Sequence, residues 1–194
     1  MAAEIVDMHR DIVLRLQKGN NAAQHELYKL YARALFNVCM RILNNKENAE
    51  DVLQEIFLTA FGQIHTFRFE STIGAWLKKI AINRSINYLK RIKANTQLID
   101  NFNTIDRPDE QESIDWEEVQ VSVDQIHKSM MRLPEGCRVI FSLFMLEGYD
   151  HSEISQILGI SESTSKSQLN RAKGLIRKTL TENKSDIEWK MQTN

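Results

Sequence analysis

The residues best suited to chemistry lie between Gly159 and Lys178, in GISESTSKSQLNRAKGLIRK. Lys166, Ser167, Gln168, Asn170, Arg171 and Lys173 are interleaved with Leu169, Ala172, Leu175 and Ile176. A helix here would have one apolar side and one side of amides and cations. Gln and Asn can bond adenine bidentately, Arg or Lys can do so to guanine, and the cations can also hold phosphates. The competing reading is a solvated basic face closing a bundle.

The elements that must position this helix weigh against that bland reading. Asp150-x-x-Glu153 is a capping box for the short helix HSEISQIL, whose Ile154, Ile157 and Leu158 point inward. Gly159 turns the chain, Ile160 plugs the turn, and Ser161 can cap the next helix. This is the grammar of a helix-turn-helix, which lays the N-terminal half of its second helix in the DNA major groove.

Net charge is −1, which alone argues against a nucleic-acid binder, but the distribution is uneven. Lys78, Lys79, Arg84, Lys90, Arg91 and Lys93 follow one another without an acid. Asp106, Asp109, Glu110, Glu112, Asp115, Glu117 and Glu118 then oppose a single Arg107. Two basic surfaces are thus separated by an acidic connector.

At 194 residues, 42% hydrophobic and 26% charged, the chain suits one globular domain or two small ones. No apolar run is long enough to span a bilayer and no signal-peptide pattern opens the sequence, so cytoplasm is expected. Cys39 and Cys137 sit in apolar helical runs and read as buried thiols. His9, His25, His65, His127 and His151 are scattered, without ligand spacing on one helix. There is no phosphate loop, nucleophile elbow or paired-carboxylate pocket. Neither an enzyme nor a cofactor or metal is expected.

The hydrophobic spacing is mostly helical, so a sheet is not expected, and it weakens over 95–115, which reads as a linker. A first helix stops at Lys18-Gly19, and a second carries the stripe Leu27, Tyr31, Ala34, Val38 and Ile42. After NNKEN a third turns Ala49, Val52, Ile56 and Ala60 inward and leaves Asp51, Gln54, Glu55 and Leu58 on its opposite face. Ser71 can cap a fourth, with Ile73, Leu77, Ile80 and Ala81 buried, which ends in the basic tract through Lys93. A second cluster begins near Trp116, with Val119, Val123, Ile126, Met130 and Leu133 as its stripe, and Pro134 starts the apolar helix CRVIFSLFML.

At this point a resemblance becomes specific. ELYKLYARALFNVCMRILNNKENAEDVLQEIFLTAF resembles region 2 of bacterial RNA polymerase sigma factors of the extracytoplasmic-function group, with the hallmark running from Asn48 through Asp51 to Gln54-Glu55-Ile56-Phe57. FRFESTIGAWLKKIAINRSINYLKR is similar to the stretch that follows, with landmarks at Trp76-Leu77, Ile80-Ala81 and Asn83. RLPEGCRVIFSLFMLEGYDHSEISQILGISESTSKSQLNRAK resembles region 4.

The resemblance implies an all-helical protein of two domains: 1–93 as region 2, 94–115 as linker, 116–183 as region 4 and 184–194 as a tail. It implies that Asp51, Gln54, Glu55 and Leu58 dock on core RNA polymerase. Lys79, Asn83 and Asn87, with Arg84, Lys90 and Arg91, would read the minus-ten element of promoter DNA as it melts. Phe67, Arg68 and Phe69 would lie in the loop that holds an extruded base, although the phenylalanines could equally plug the core. The helix at 166–173 becomes the minus-thirty-five reader. An anti-sigma factor, in the family often membrane-anchored, is a further implied partner. Asn87 departs from the Asp of many members, Ser155 from a small apolar Ala, and Ser165 from a Val that packs the recognition helix, which implies a looser seat for it. The alternatives are a free-standing repressor or activator, with the N-terminal bundle dimerising or sensing, and an interaction protein that binds no DNA.

Overall fold

Asparagines do much of the punctuation in the N-terminal half. Asn20 caps the helix that follows by accepting from Ala22 N and Ala23 N at 2.9 and 3.2 Å. Asn44 ends that helix in the left-handed region at φ 52°, and Asn45 caps the next by accepting from Asn48 N at 2.9 Å. Each such cap contributes about 1 kcal/mol. The computed structural model describes residues 8–96 and 123–192, with side chains for 8–93 and 123–181. The acidic connector, Trp116 and Val119 lie outside the described residues.

The chain divides into two compact units, Met1–Leu98 and Ile99–Asn194. In the first, α1 (Arg10–Gln17), α2 (Asn21–Leu43), α3 (Lys46–Gln63) and α4 (Ile73–Thr96) pack together, with a 3-10 turn at Ile64–Thr66. Leu27, Ile42, Ile56, Ile73, Leu77 and Ile82 are its largest fully buried side chains. Gly74 lets the start of α4 meet the Tyr31 ring, since a Cβ there would lie 2.9 Å from a ring carbon. In the second unit, α5 (Val123–Met131), α6 (Glu135–Phe141), α7 (His151–Leu158) and α8 (Glu162–Gln192) enclose Met130, Ile140, Leu143, Ile154 and Ile176. A π-helical turn, Ser142–Leu146, extends α6. Among the described residues every regular element is helical.

Several local expectations shift. Ala34 is exposed, because α2 turns Leu35 and Cys39 inward instead. Val123 is 84% exposed at the first position of α5, so it does not join the core stripe. Ile80 and Ile157 are only half-buried. The cap of α4 is Thr72, whose Oγ1 accepts from Ala75 N at 3.2 Å, one residue beyond Ser71. The helix α4 continues to Thr96, and α8 runs on to Gln192.

Candidate nucleic-acid interface

The heptad of α4 determines which of its polar groups reach solvent. Ile73, Leu77, Ala81, Ile82, Ser85, Ile86 and Leu89 are buried, and the side left over carries Lys79, Asn83, Arg84, Asn87, Lys90 and Arg91, all exposed. Steps of three and four residues put these on neighbouring turns. Two amides flanked by cations can bond base edges while neutralising phosphates.

On α3, burial of Ala49, Val52, Leu53, Ile56, Phe57 and Ala60 leaves Asp51, Gln54 and Leu58 exposed and Glu55 half-buried in one stripe. Leu58 is 73% exposed, an apolar group among acids that suits a protein surface better than DNA. The two helices touch through their polar groups. Tyr88 Oη donates to Asn48 Oδ1 at 2.8 Å, and Arg91 Nη2 stands 4.0 Å from Glu55 Oε1 with its guanidinium 5.0 Å from the Tyr88 ring centroid.

The loop between the 3-10 turn and α4 separates its three candidates. Phe67 is buried, with ring neighbours Phe69 at 5.0 Å and Trp76 at 5.4 Å, so it plugs the core and is not available to a base. Arg68 is exposed. Phe69 is half-buried and holds φ at 60°, an uncommon conformation for a bulky residue.

The second unit builds the helix-turn-helix as its sequence prescribes. Glu153 N donates to Asp150 Oδ1 at 2.8 Å and Asp150 N donates back to Glu153 Oε2 at 2.9 Å, which closes the capping box. Gly159 takes φ 74°, and Thr164 N donates to Ser161 Oγ at 3.1 Å to start α8. Leu169, Ala172 and Ile176 are buried. Lys166, Ser167 and Asn170 are exposed, and Arg171 and Lys173 are half-buried. Lys166 Nζ also stands 3.8 Å from Glu162 Oε2.

Gln168 departs from the sequence reading. It is 4% exposed, and its Oε1 accepts from the Cys137 thiol at 3.0 Å, so it faces the core instead of a base edge. Its spacing signalled this, since Gln168 lies beside Leu169 and one turn from both Ser165 and Ala172. Burial pushes the Cys137 thiol up, which keeps it the neutral donor, while Arg171 pulls weakly the other way. Ser165 is fully buried with its Oγ 2.8 Å from His151 Nδ1, and the His151 ring stacks on Phe144 with centroids 4.6 Å apart. A polar link therefore seats the helix where a valine would supply apolar contact. In the sequence His151 is one of five scattered histidines, and the signal that gives it a partner is the serine at 165.

Two helical units, one exposing amides and cations along α4 and the other a helix-turn-helix exposing Lys166, Ser167 and Asn170, define a DNA-directed helical protein. The family Sigma-70 region 2 matches residues 27–95, and Sigma-70, region 4 matches residues 124–176. The ECF RNA polymerase sigma factor SigM of Mycobacterium tuberculosis (strain ATCC 25618 / H37Rv) is 26% identical over 84% of this chain and 79% of its own length. The ECF RNA polymerase sigma-E factor of Haemophilus influenzae is 29% identical over 91% of this chain and 96% of its own. Among solved structures, CnrH in complex with the cytosolic domain of CnrY superposes with a TM-score of 0.51 at 20% identity, covering 90% of this chain and 98% of that one. RpoE in complex with the anti-sigma factor NepR from Bartonella quintana gives the same TM-score and identity over 81% and 96%. These two structures share the fold. The chain belongs to the extracytoplasmic-function group of RNA polymerase sigma factors.

Proposed function

We propose that this chain joins core RNA polymerase and directs it to a class of promoters, without enzymatic activity of its own. The observation that carries the reading is the order of the two matched regions, each with its own exposed cation-and-amide face, on α4 and on α8. In this reading Asp51, Gln54, Glu55 and Leu58 meet the polymerase. The α4 face, with Arg68 and Phe69 of the loop before it, takes the opening minus-ten element, and Lys166, Ser167, Asn170, Arg171 and Lys173 take the minus-thirty-five element. The working division is region 2 over 1–93, linker over 94–115, region 4 over 116–183 and tail over 184–194. Work of this kind belongs in the cytoplasm. Among the described residues no helix is long and apolar enough to cross a membrane, which is compatible with that setting. Structural relatives solved with CnrY and with the anti-sigma factor NepR support an anti-sigma factor as a second partner.

The test is a footprint on a responsive promoter with the chain alone, core polymerase alone, and both. The minus-ten face needs unpaired bases, and opening duplex costs about 1.4 kcal/mol per base-pair step before contacts repay it. Protection of two elements around an opened region is expected only in the mixture. Tight selective protection by the chain alone, unchanged by core, would establish a free-standing regulator instead.

A further inference from the structure

The first helix, α1, lies ahead of the residues matched to region 2, which begin at 27, yet it reaches the loop in front of α4. Gln17 Nε2 donates to Ile64 O at the start of the 3-10 turn and to Phe67 O at the start of that loop, both at 3.0 Å. The amide has two hydrogens and both are used. At the other end of α1 the Arg10 guanidinium lies 4.3 Å from the centroid of the Phe69 ring, within cation–π range. A third link, His9 Nδ1 to Tyr31 Oη at 2.7 Å, ties the start of α1 to α2 beside Gly74.

Two of these contacts bear on the strained point of the loop, Arg10 directly and Gln17 through Phe67. Phe69 holds a positive φ that a bulky residue rarely adopts, so its surroundings must over-determine it. Phe67, whose carbonyl Gln17 holds, packs edge-on against one part of the Phe69 ring, and Arg10 covers another. A ring fixed in this way has little conformational freedom left to lose, and the part of this half-buried ring that reaches solvent can stack an unpaired base.

We propose that Gln17 and Arg10 are positioning residues that preform the loop at 67–69 for capture of one unpaired base. This rests on the sigma-factor reading above, and it assigns α1 a part in recognising the opened promoter. Neither residue needs to touch DNA; each acts through Phe69.

The experiment uses the full chain bound to core RNA polymerase and a short single-stranded DNA selected from a randomised pool by the wild-type complex. Each base is removed in turn to leave an abasic site. In the wild type, one position should cost about tenfold in affinity through lost stacking on the loop. Gln17→Leu and Arg10→Ala should each abolish the penalty at that position and leave the penalties elsewhere unchanged to within about twofold. Arg10→Lys keeps the charge but loses the planar guanidinium, so it should behave as Arg10→Ala does while retaining the wild-type salt slope. An abasic profile identical to wild type in both variants, or uniform weakening at every position, overturns the proposal. Should Gln17→Leu fail to fold, the exposed Arg10 variants decide alone. A wild-type complex that selects no sequence beyond core alone sinks the sigma reading itself, and this inference with it.

Discussion

Cys137 and Gln168 meet inside the second unit, thiol to amide oxygen at 3.0 Å, and join α6 to the helix expected to read DNA. Gln168 therefore holds α8 in place. Gln168→Ala should leave the buried thiol without its acceptor and cost about 1–3 kcal/mol of stability. Thermal unfolding should show that loss while the ranking of promoter variants stays as in the wild type. A relaxed preference at one base pair without loss of stability would return Gln168 to the set of readers.

Asn170 and Arg171 have the opposite expectation. Asn170 is exposed and Arg171 half-buried on the helix-turn-helix. Replacing either with Ala should cost about 1–3 kcal/mol of binding at particular base pairs of the upstream element. Replacing Lys166 should instead weaken all promoters alike and reduce the salt slope by about one unit. Binding by the polymerase complex to a panel of single-base variants at several salt concentrations separates the two outcomes.

What the sequence made legible here were the local signals: the Asp150–Glu153 box, the left-handed Gly159 and the Ser161 cap all form as their residue types dictate. Tertiary choice was less visible. Polar type suggested that Gln168 faces outward, but its turn of the helix faces Cys137, and a bonded amide can be buried at little cost. Phe67 and Phe69 are alike in type and nearly adjacent, yet one is core and the other stands half-exposed at positive φ. Nothing local distinguishes them. The contacts that do, from Gln17 and Arg10, come from a helix about fifty residues away in sequence, as the separation of Gln17 from Phe67 shows.

The stripe on α3 predicts a partner effect that stability will not mirror. Asp51→Lys with Glu55→Lys reverses charge on an exposed face and also sets a cation beside Arg91, which stands 4.0 Å from Glu55. An ion pair this exposed contributes little, so stability should change by only about 0.5 kcal/mol. Core-polymerase affinity should fall severalfold or more. Wild-type affinity for core, with helicity unchanged, would remove this face from the polymerase interface.

The last expectation concerns acid. His151 sits at the first position of α7 with its Nδ1 2.8 Å from the buried Ser165 hydroxyl of α8, so it joins the two helices of the DNA-binding motif. Burial is the main cause that lowers its pKa below the usual histidine value; Lys166 and Lys173 act in the same direction, while Glu162 and Asp150 oppose them. The folded state thus binds the proton less readily than the unfolded chain does. Above the ordinary histidine pKa of about 6.5 both states are neutral and the full stability is present. As pH falls below that value the unfolded state takes up the proton first, and stability is lost until the folded pKa has also been passed. The unfolding midpoint should therefore drop between neutral pH and mild acid. Much of that drop should vanish in His151→Gln, which can still hydrogen-bond Ser165 but does not titrate. Thermal unfolding of both proteins at matched ionic strength checks this. An identical acid sensitivity in the two would place the responsible proton elsewhere.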